Sequence, residues 1–284
     1  MKTDSASEKR FCGKTAVVTG GGGVLCSVFC RALAENGCSV AVLDLKEESA
    51  KAVAQSINEA GGRAIGISAN VLDKQSLAAA CERVKTEFGG VDILVNGAGG
   101  NNPRATTDKE YLEASDFAPE HKARTFLELS KEDIGFVFDL NCLGTVLPTQ
   151  AFLPAMNGGG VIINITSMNA FRPLTKIPAY SAAKSAVSNL TMWLAVHLSK
   201  LGIRVNAIAP GFFVTAQNKN LLYNENGAPT ERTEKILRGT PMRRFGEPEE
   251  LVGTLLFLCD NTASGFVNGA VIPVDGGFSA YSGV

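Results

Sequence analysis

Short, mainly apolar runs alternate with longer stretches of mixed polarity along most of the chain. The apolar runs are Thr15–Thr19, Ser39–Leu43, Ala64–Ser68, Val91–Val95, Val161–Thr166, Ile203–Ala209 and Ala270–Val274. Each is short and mostly rich in β-branched residues, which predicts strands buried on both faces. Between them, Leu25–Glu35, Lys74–Phe88 and Ala179–Leu201 carry helical spacing. Glu47–Ala60 does so too, with one polar and one apolar face, and Gly61-Gly62 closes it. Strands that alternate with helices imply a parallel sheet covered on both sides. The reading is α/β, a doubly wound Rossmann domain with a seven-stranded parallel sheet. No repeat or linker interrupts it, so residues 1–284 form one domain. Two stretches break the rhythm. Gly99 to Ile134 is polar and irregular, with Pro103, Pro119 and many charges, and Asn218 to Gly239 is similar. Long loops inside a compact domain are uncommon and often act as lids or binding segments. They are read as substrate-loop insertions near 100–133 and 215–240, against the plainer reading of solvated surface.

Composition narrows the class. The 284 residues are 45% hydrophobic, enough for a large core. A formal net charge of -1 gives no electrostatic case for nucleic acid or an anionic membrane as partner. No apolar run approaches the ~18 residues that span a bilayer. The polar stretch Met1 to Arg10 lacks the apolar centre of a secretory signal. Seven cysteines, an odd number in mostly apolar or helical surroundings, suit a reducing cytoplasm rather than a disulfide framework. With two histidines and no zinc-like spacing, no metal site is expected.

Thr19-Gly20-Gly21-Gly22-Gly23-Val24-Leu25-Cys26 joins the first strand to the first helix. Glycines let a backbone approach a pyrophosphate, and a helix N-terminus offers free N–H groups and the positive end of its dipole. A glycine-rich turn alone is weak; its placement after the first strand strengthens it. Asp44 ends the second strand, 24 residues beyond Gly20. A carboxylate there can accept from the adenosine ribose hydroxyls and would repel a 2′-phosphate, which favours NAD over NADP. The plainer reading of Asp44 is a turn residue. Asn96-Gly97-Ala98-Gly99 follows the fourth strand, where small residues would let the backbone lie against adenosine.

Tyr180 and Lys184 are four residues apart at the start of a long helix, hence on one face. An ammonium beside a phenol lowers its pKa from ~10 and suits it to shuttle a proton. Alone, such a pair is usually structural. Ser167, thirteen residues upstream and just past a strand, could bond a substrate oxygen, and Asn141 sits in a helical stretch further back.

In order and spacing these motifs resemble the short-chain dehydrogenase/reductase family, over about Gly13 to Gly277. The resemblance implies that Ser167 positions a carbonyl and Tyr180 transfers the proton. It implies that Lys184 also holds the nicotinamide ribose and that Asn141 supports a water chain through the lysine. Asn141, Ser167, Tyr180 and Lys184 are thus the expected catalytic set. The expected cofactor contacts are Gly20, Gly22, Gly23, Val24, Leu25, Asp44, Asn70, Val71, Asn96, Gly97 and Ala98, with Tyr180 and Lys184. Pro210, Gly211, Phe213 and Thr215 complete them, Phe213 through its backbone and Thr215 through its hydroxyl, both toward the nicotinamide carboxamide. Asp275-Gly276-Gly277 also matches. Two departures stand out. Counted directly, Val24 and Cys26 occupy the family's later glycine positions, unless the four consecutive glycines shift the turn by one residue. Asn70-Val71 replaces the usual Asp-Val beside the adenine, and the asparagine oxygen can still accept from its amine.

The segment Ser167 to Lys176 must border the substrate pocket in such a fold. Asn169, Arg172 and Lys176 make it polar and cationic, and the insertion adds Asn101, Asn102 and Arg104. Arginine can grip a carboxylate through two parallel bonds. Arg104, Asn169 and Arg172 are therefore the expected substrate contacts, for a polyhydroxy acid; each is also readable as a side chain that merely faces solvent. Within the family the chain most resembles the D-mannonate oxidoreductase, or fructuronate reductase, branch, which implies D-fructuronate plus NADH to D-mannonate plus NAD. The alternatives are another sugar-acid or polyol dehydrogenase such as gluconate 5-dehydrogenase, a 3-oxoacyl reductase, which Asp44 disfavours, and a catalytically silent NAD-binding protein. Trp193 and His197 share a helix face and are expected at a subunit contact. The resemblance implies a homotetramer, with the tail Phe278–Val284 reaching a neighbour. Cys26 and Cys30, four apart on the first helix, are read as packing residues.

Overall fold

The computed structural model describes residues 9–214, 222, 224 and 227–283. Its centre is a seven-stranded sheet: β1 Thr15–Thr19, β2 Ser39–Asp44, β3 Arg63–Ser68, β4 Val91–Asn96, β5 Met156–Ile165, β6 Ile203–Pro210 and β7 Val271–Val274. All pairings are parallel, in the order β3-β2-β1-β4-β5-β6-β7. β1 and β6 are buried at every residue. Both of their faces meet helices, and the polar side chains on β6 are hydrogen-bonded internally, Arg204 to the Leu258 carbonyl and Asn206 to the Val267 carbonyl.

The strand faces define two cores. Val18, Val40, Val42, Ile93 and Val95 pack with α1 (Val24–Glu35), α2 (Glu47–Glu59) and residues flanking or within a C-terminal helix, Leu251, Leu255 and Leu258. Val17, Ala41, Leu43 and Leu94 face the other way, onto α3 (Lys74–Phe88), Phe152 and the end of a long later helix. Local chemistry sets the helix ends. The Asp73 carboxylate accepts from the N–H groups of Gln75 and Ser76 at the start of α3, and Gly89, at φ +85°, closes it.

Beyond β4 the 100–133 insertion contains three short 3-10 turns, at Pro103–Ala105, Ala114–Phe117 and Phe126–Glu128. α4 (Lys131–Phe138) and α5 (Gly144–Phe152) follow, joined by a π-helical turn, Asp139–Leu143. The run Lys131–Ala155 is long and apolar enough to cross a membrane by length and composition, contrary to the sequence expectation. In this fold it is a wall of the domain, contacting α3, β4 and α6 (Pro178–His197). Three elements differ from their expected extents. β5 begins at Met156, ahead of three glycines, rather than at Val161. α6 ends at His197, and Ser199–Leu201 forms a 3-10 turn. The second irregular stretch contains a helix, α7 (Glu231–Gly239), whose start Thr230 caps by accepting from the Thr233 N–H. Its polar composition hid it, because only Thr233 and Ile236 are buried. α8 (Val252–Cys259) and the single turn α9 (Asn261–Ser264) lead to β7.

β1 lies between β2, reached on one side, and β4, which opens the run to β7 on the other. The crevice above the carboxyl ends of β1 and β4 is therefore the switch point where open α/β sheets bind ligands.

Candidate active site

At the crevice the chain leaves β1 through Gly20, whose φ is +64°. A Cβ there would stand 2.9 Å from the Ala98 Cα, so only glycine lets the two loops close together. Gly23 is the N-cap of α1, and the first bond into the helix runs from the Ser27 N–H to the Gly23 carbonyl. The N–H groups of Val24, Leu25 and Cys26 precede that bond, which leaves a helix N-terminus aimed at the crevice. Direct counting along the motif thus suffices. Cys26 stands where the family carries a glycine and is buried, with its Sγ against the Cα of Gly97, where a Cβ would collide with it. Burial pushes its thiol up to about 12, so it is a packing group, as is buried Cys30.

Asp44 is bound into the same turn. Its Oδ2 accepts from the Gly22 N–H at 3.1 Å and its Oδ1 from the Lys46 N–H at 3.0 Å. The carboxylate is therefore fixed beside the glycines at the end of β2. Thr19 is a residue the sequence reading missed: its Oγ1 accepts from the N–H groups of both Gly97 and Ala98, at 3.1 and 3.2 Å. A hydroxyl as the last residue of β1, just before the glycines, is the signal that could have revealed it. Asn96 plays a different part from the one expected. Its Nδ2 donates to Thr149 and Asn164, so its side chain knits β4 to α5 and β5 beneath the crevice. The Asn70 oxygen is likewise engaged, accepting from the Leu72 N–H at 3.0 Å, because Asn70 opens a turn into α3. Val71 is buried and packs on Gly144. Gly211, after β6, lies so close to Asp275 that a Cβ would stand 2.6 Å from its Cα. Phe213 is buried against Gly246. Thr215 lies outside the described residues.

Ser167, Tyr180 and Lys184 come together at the carboxyl end of β5. Ser167 caps a 3-10 turn, its Oγ accepting from the Asn169 N–H at 3.2 Å, and it is close enough to Tyr180 to lower the hydroxyl's pKa. The Lys184 Nζ donates to the Ile165 carbonyl at 2.8 Å and lies 5.6 Å from the centre of the Tyr180 ring. Asn141 sits in the π turn, fully buried, and clamps Gly100: Oδ1 accepts from its N–H and Nδ2 donates to its carbonyl, at 3.0 and 2.8 Å. Gly99 holds the groups together, because a Cβ there would stand 2.7 Å from Asn141 Oδ1 and 3.1 Å from Lys184 Nζ. All four expected catalytic residues thus meet at one edge.

Their electrostatics depart from expectation in one respect. Burial pushes the Tyr180 hydroxyl above the ordinary tyrosine value, and Ser167 offsets this in part. The lysine was expected to lower it, but removal from water sets the direction of the shift. Lys184 itself is lowered to about 8, chiefly by burial.

Of the expected substrate residues, Asn169 is buried and its Oδ1 has no hydrogen-bond partner. Arg172 is exposed, and its Nε donates to the Ser279 carbonyl at 3.0 Å. Arg104 is not drawn to this edge. It pairs with Asp133 at 3.1 Å in an open cleft of the insertion lined also by His121, Lys122 and Arg124, because α4 presents a carboxylate directly behind the Pro103–Ala105 turn. The insertion is nonetheless tied to the substrate loop, since Lys176 donates to the Asp108 carbonyl and accepts from the Thr107 N–H.

A parallel sheet with a glycine turn and an acidic residue at its switch point, and a Ser–Tyr–Lys set along the same edge, defines a Rossmann-type oxidoreductase. The chain belongs to the short-chain dehydrogenase/reductase family: a family model described as enoyl-(acyl carrier protein) reductase matches residues 26–279. A crystal structure from Haemophilus influenza, with bound NAD and provisionally described as a D-mannonate oxidoreductase, is 56% identical over 97% of this chain and 98% of that one, with a TM-score of 0.92. The 2-dehydro-3-deoxy-D-gluconate 5-dehydrogenase of Escherichia coli (strain K12) is 33% identical over 94% of this chain and 96% of its own length. The 7alpha-hydroxysteroid dehydrogenase of the same strain is 32% identical over 94% and 95%.

Proposed function

We propose that the chain reduces D-fructuronate to D-mannonate with NADH: D-fructuronate, NADH and a proton give D-mannonate and NAD. The observation that carries this reading is the likeness, 56% identical over nearly the whole chain, to a protein provisionally described as a D-mannonate oxidoreductase. The substrate side supports it. Asn169 presents a buried carboxamide oxygen with no protein partner, next to Ser167. An unsatisfied buried polar atom costs about 1–3 kcal/mol, which a hydroxylated ligand would relieve. Arg172 adds a cation on the same loop.

The crevice fits a dinucleotide. The close approach of Gly20 to Ala98 leaves no side chain between the loops, the N-terminus of α1 opens toward them, and Asp44 stands at the end of β2. The N–H groups of Val24 and Leu25 would hold the pyrophosphate where Gly22 and Gly23 let the backbone approach it, Asp44 the adenosine ribose, and Lys184 the nicotinamide ribose. When bound, NADH supplies the hydride. Ser167 holds the ketone oxygen through its hydroxyl. Tyr180 donates its proton to that oxygen as the negative charge develops, and its raised pKa keeps the proton available until then. Lys184, protonated below about pH 8, stabilises the tyrosinate that remains.

We further infer a cytoplasmic homotetramer. All seven cysteines are free, as a reducing compartment requires. The stacked Trp193 and His197 rings, 4.4 Å apart, lie beside exposed Met192 and Val196 on α6 and offer an apolar subunit contact. Light scattering would give the mass of four chains, and Trp193→Glu would lower it; a monomeric wild type overturns the assembly. The reaction is tested by NADH oxidation with D-fructuronate, 5-keto-D-gluconate and a plain cyclic ketone. The expected result is a specificity constant for D-fructuronate well above the others. Similar constants for all three would sink the reading.

A further inference from the structure

Residues 275–279 fold back to the loop between Ser167 and Tyr180 through one carboxylate. Asp275, at the end of β7, accepts from the Gly277 N–H through Oδ1 at 2.9 Å and from the Ser279 N–H through Oδ2 at 2.8 Å. The turn so made is anchored on both sides. Gly211 lies against the Asp275 backbone and donates its N–H to the Val274 carbonyl at 2.9 Å. The Phe278 ring meets Phe212 edge-on at 5.3 Å and sits over Gly239, the last residue of α7. From this anchored turn the Ser279 carbonyl reaches the Nε of Arg172 at 3.0 Å. Arg172 belongs to the loop between Ser167 and Tyr180. Among the described residues, neither of its terminal nitrogens has a hydrogen-bond or ion-pair partner.

We propose that Asp275 is a positioning residue for substrate selection: it presents the Ser279 carbonyl to Arg172 Nε and so aims the free end of the guanidinium at the carboxylate of a sugar acid. The inference rests on the sugar-acid reading above. A guanidinium fixed through Nε still has two parallel N–H groups on Nη1 and Nη2, which match the two oxygens of a carboxylate. A freely rotating arginine on an exposed loop would lose more side-chain entropy on gripping the same group.

The test compares D-fructuronate with D-fructose, its neutral counterpart with a hydroxymethyl in place of the carboxylate. The variants are Asp275→Asn, Arg172→Lys and a chain ending at Phe278. Each is expected to raise KM for D-fructuronate about tenfold, the effect of losing one charge-assisted hydrogen bond, with kcat and the KM for NADH within about twofold. D-fructose turnover should not change, and combining Arg172→Lys with the truncation should add nothing further. A merely structural tail would shift both substrates and NADH together, which overturns the proposal. So would a wild-type KM in Asp275→Asn or Arg172→Lys, both point changes in a chain that keeps its core, should the shortened chain not fold. A wild type that accepts D-fructose as readily as D-fructuronate would remove the sugar-acid reading and the proposal with it. A wild-type preference for the acid that survives every variant would remove the proposal alone.

Discussion

Lys184 holds its proton weakly because it is buried. Below about pH 8 it is an ammonium and supports Tyr180; above that it is not. The kcat/KM for ketone reduction, which reports the free enzyme, should be flat at neutral pH and fall as pH rises through about 8. An alkaline limb displaced to the ordinary lysine range would show that burial does not govern this group. The same shift bears on stability. The folded chain binds fewer protons at Lys184 than the unfolded chain between about 8 and the ordinary lysine value of 10.5, so the cost this buried ammonium places on folding is relieved progressively as pH rises across that window. Tyr180→Phe keeps the ring and removes the proton donor. It should lower kcat by roughly 10³-fold or more while leaving NADH binding, followed by fluorescence titration, within a few-fold. The positions of these two residues are legible in the sequence, because a four-residue spacing on a helix puts them on one face whatever surrounds it. The direction of the Tyr180 shift is not, since it depends on how much water the assembled crevice excludes. Arg104 fails for a related reason: its partner, Asp133, is set by where the insertion folds back, which no local pattern records.

Between the strands, two connecting segments shape the crevice, the turn from β1 to α1 and the π turn after α4. The turn from β1 to α1 and the end of β2 fix the Asp44 carboxylate, whose two oxygens already accept backbone N–H groups at 3.1 and 3.0 Å. Asp44→Ser should raise kcat/KM with NADPH at least tenfold relative to NADH, because the repelled 2′-phosphate then meets a neutral hydroxyl. An unchanged cofactor ratio would place the adenosine ribose elsewhere. The π turn between α4 and α5 turns Asn141 toward Gly100 and bonds it on both sides. Asn141→Ala would leave two backbone groups of Gly100 without partners, and should cost about 1–3 kcal/mol in denaturant unfolding together with much of the activity. From the sequence Asn141 reads only as part of a helical stretch, since one extra residue in a turn leaves no trace in a periodicity. The helix α7 is hidden for a different reason: nearly all of it faces solvent, and a polar helix looks like a polar loop.

The molecule as a whole gathers every expected catalytic group at the carboxyl edge of one sheet. That arrangement is readable in advance, because seven apolar runs separated by helical stretches admit few topologies once crossovers must be right-handed. What the pattern cannot supply is which loops meet above the sheet. The tie of Lys176 to Asp108 and the bond from Arg172 to Ser279 join segments 68 and 107 residues apart. Strand order also sets the sequence in which the molecule is assembled. The innermost partners of β1 are β2 and β4, all complete by residue 96, so the crevice for the dinucleotide can close before Tyr180 has left the ribosome. The half-built sheet then ends on β4, whose open edge waits for β5 some sixty residues later. Such an unpaired edge invites association with other chains. The insertion and the run 131–155 that delay β5 therefore prolong the interval in which a nascent chain is most exposed to aggregation, and expression at lower temperature or slower synthesis rates would act on that interval first.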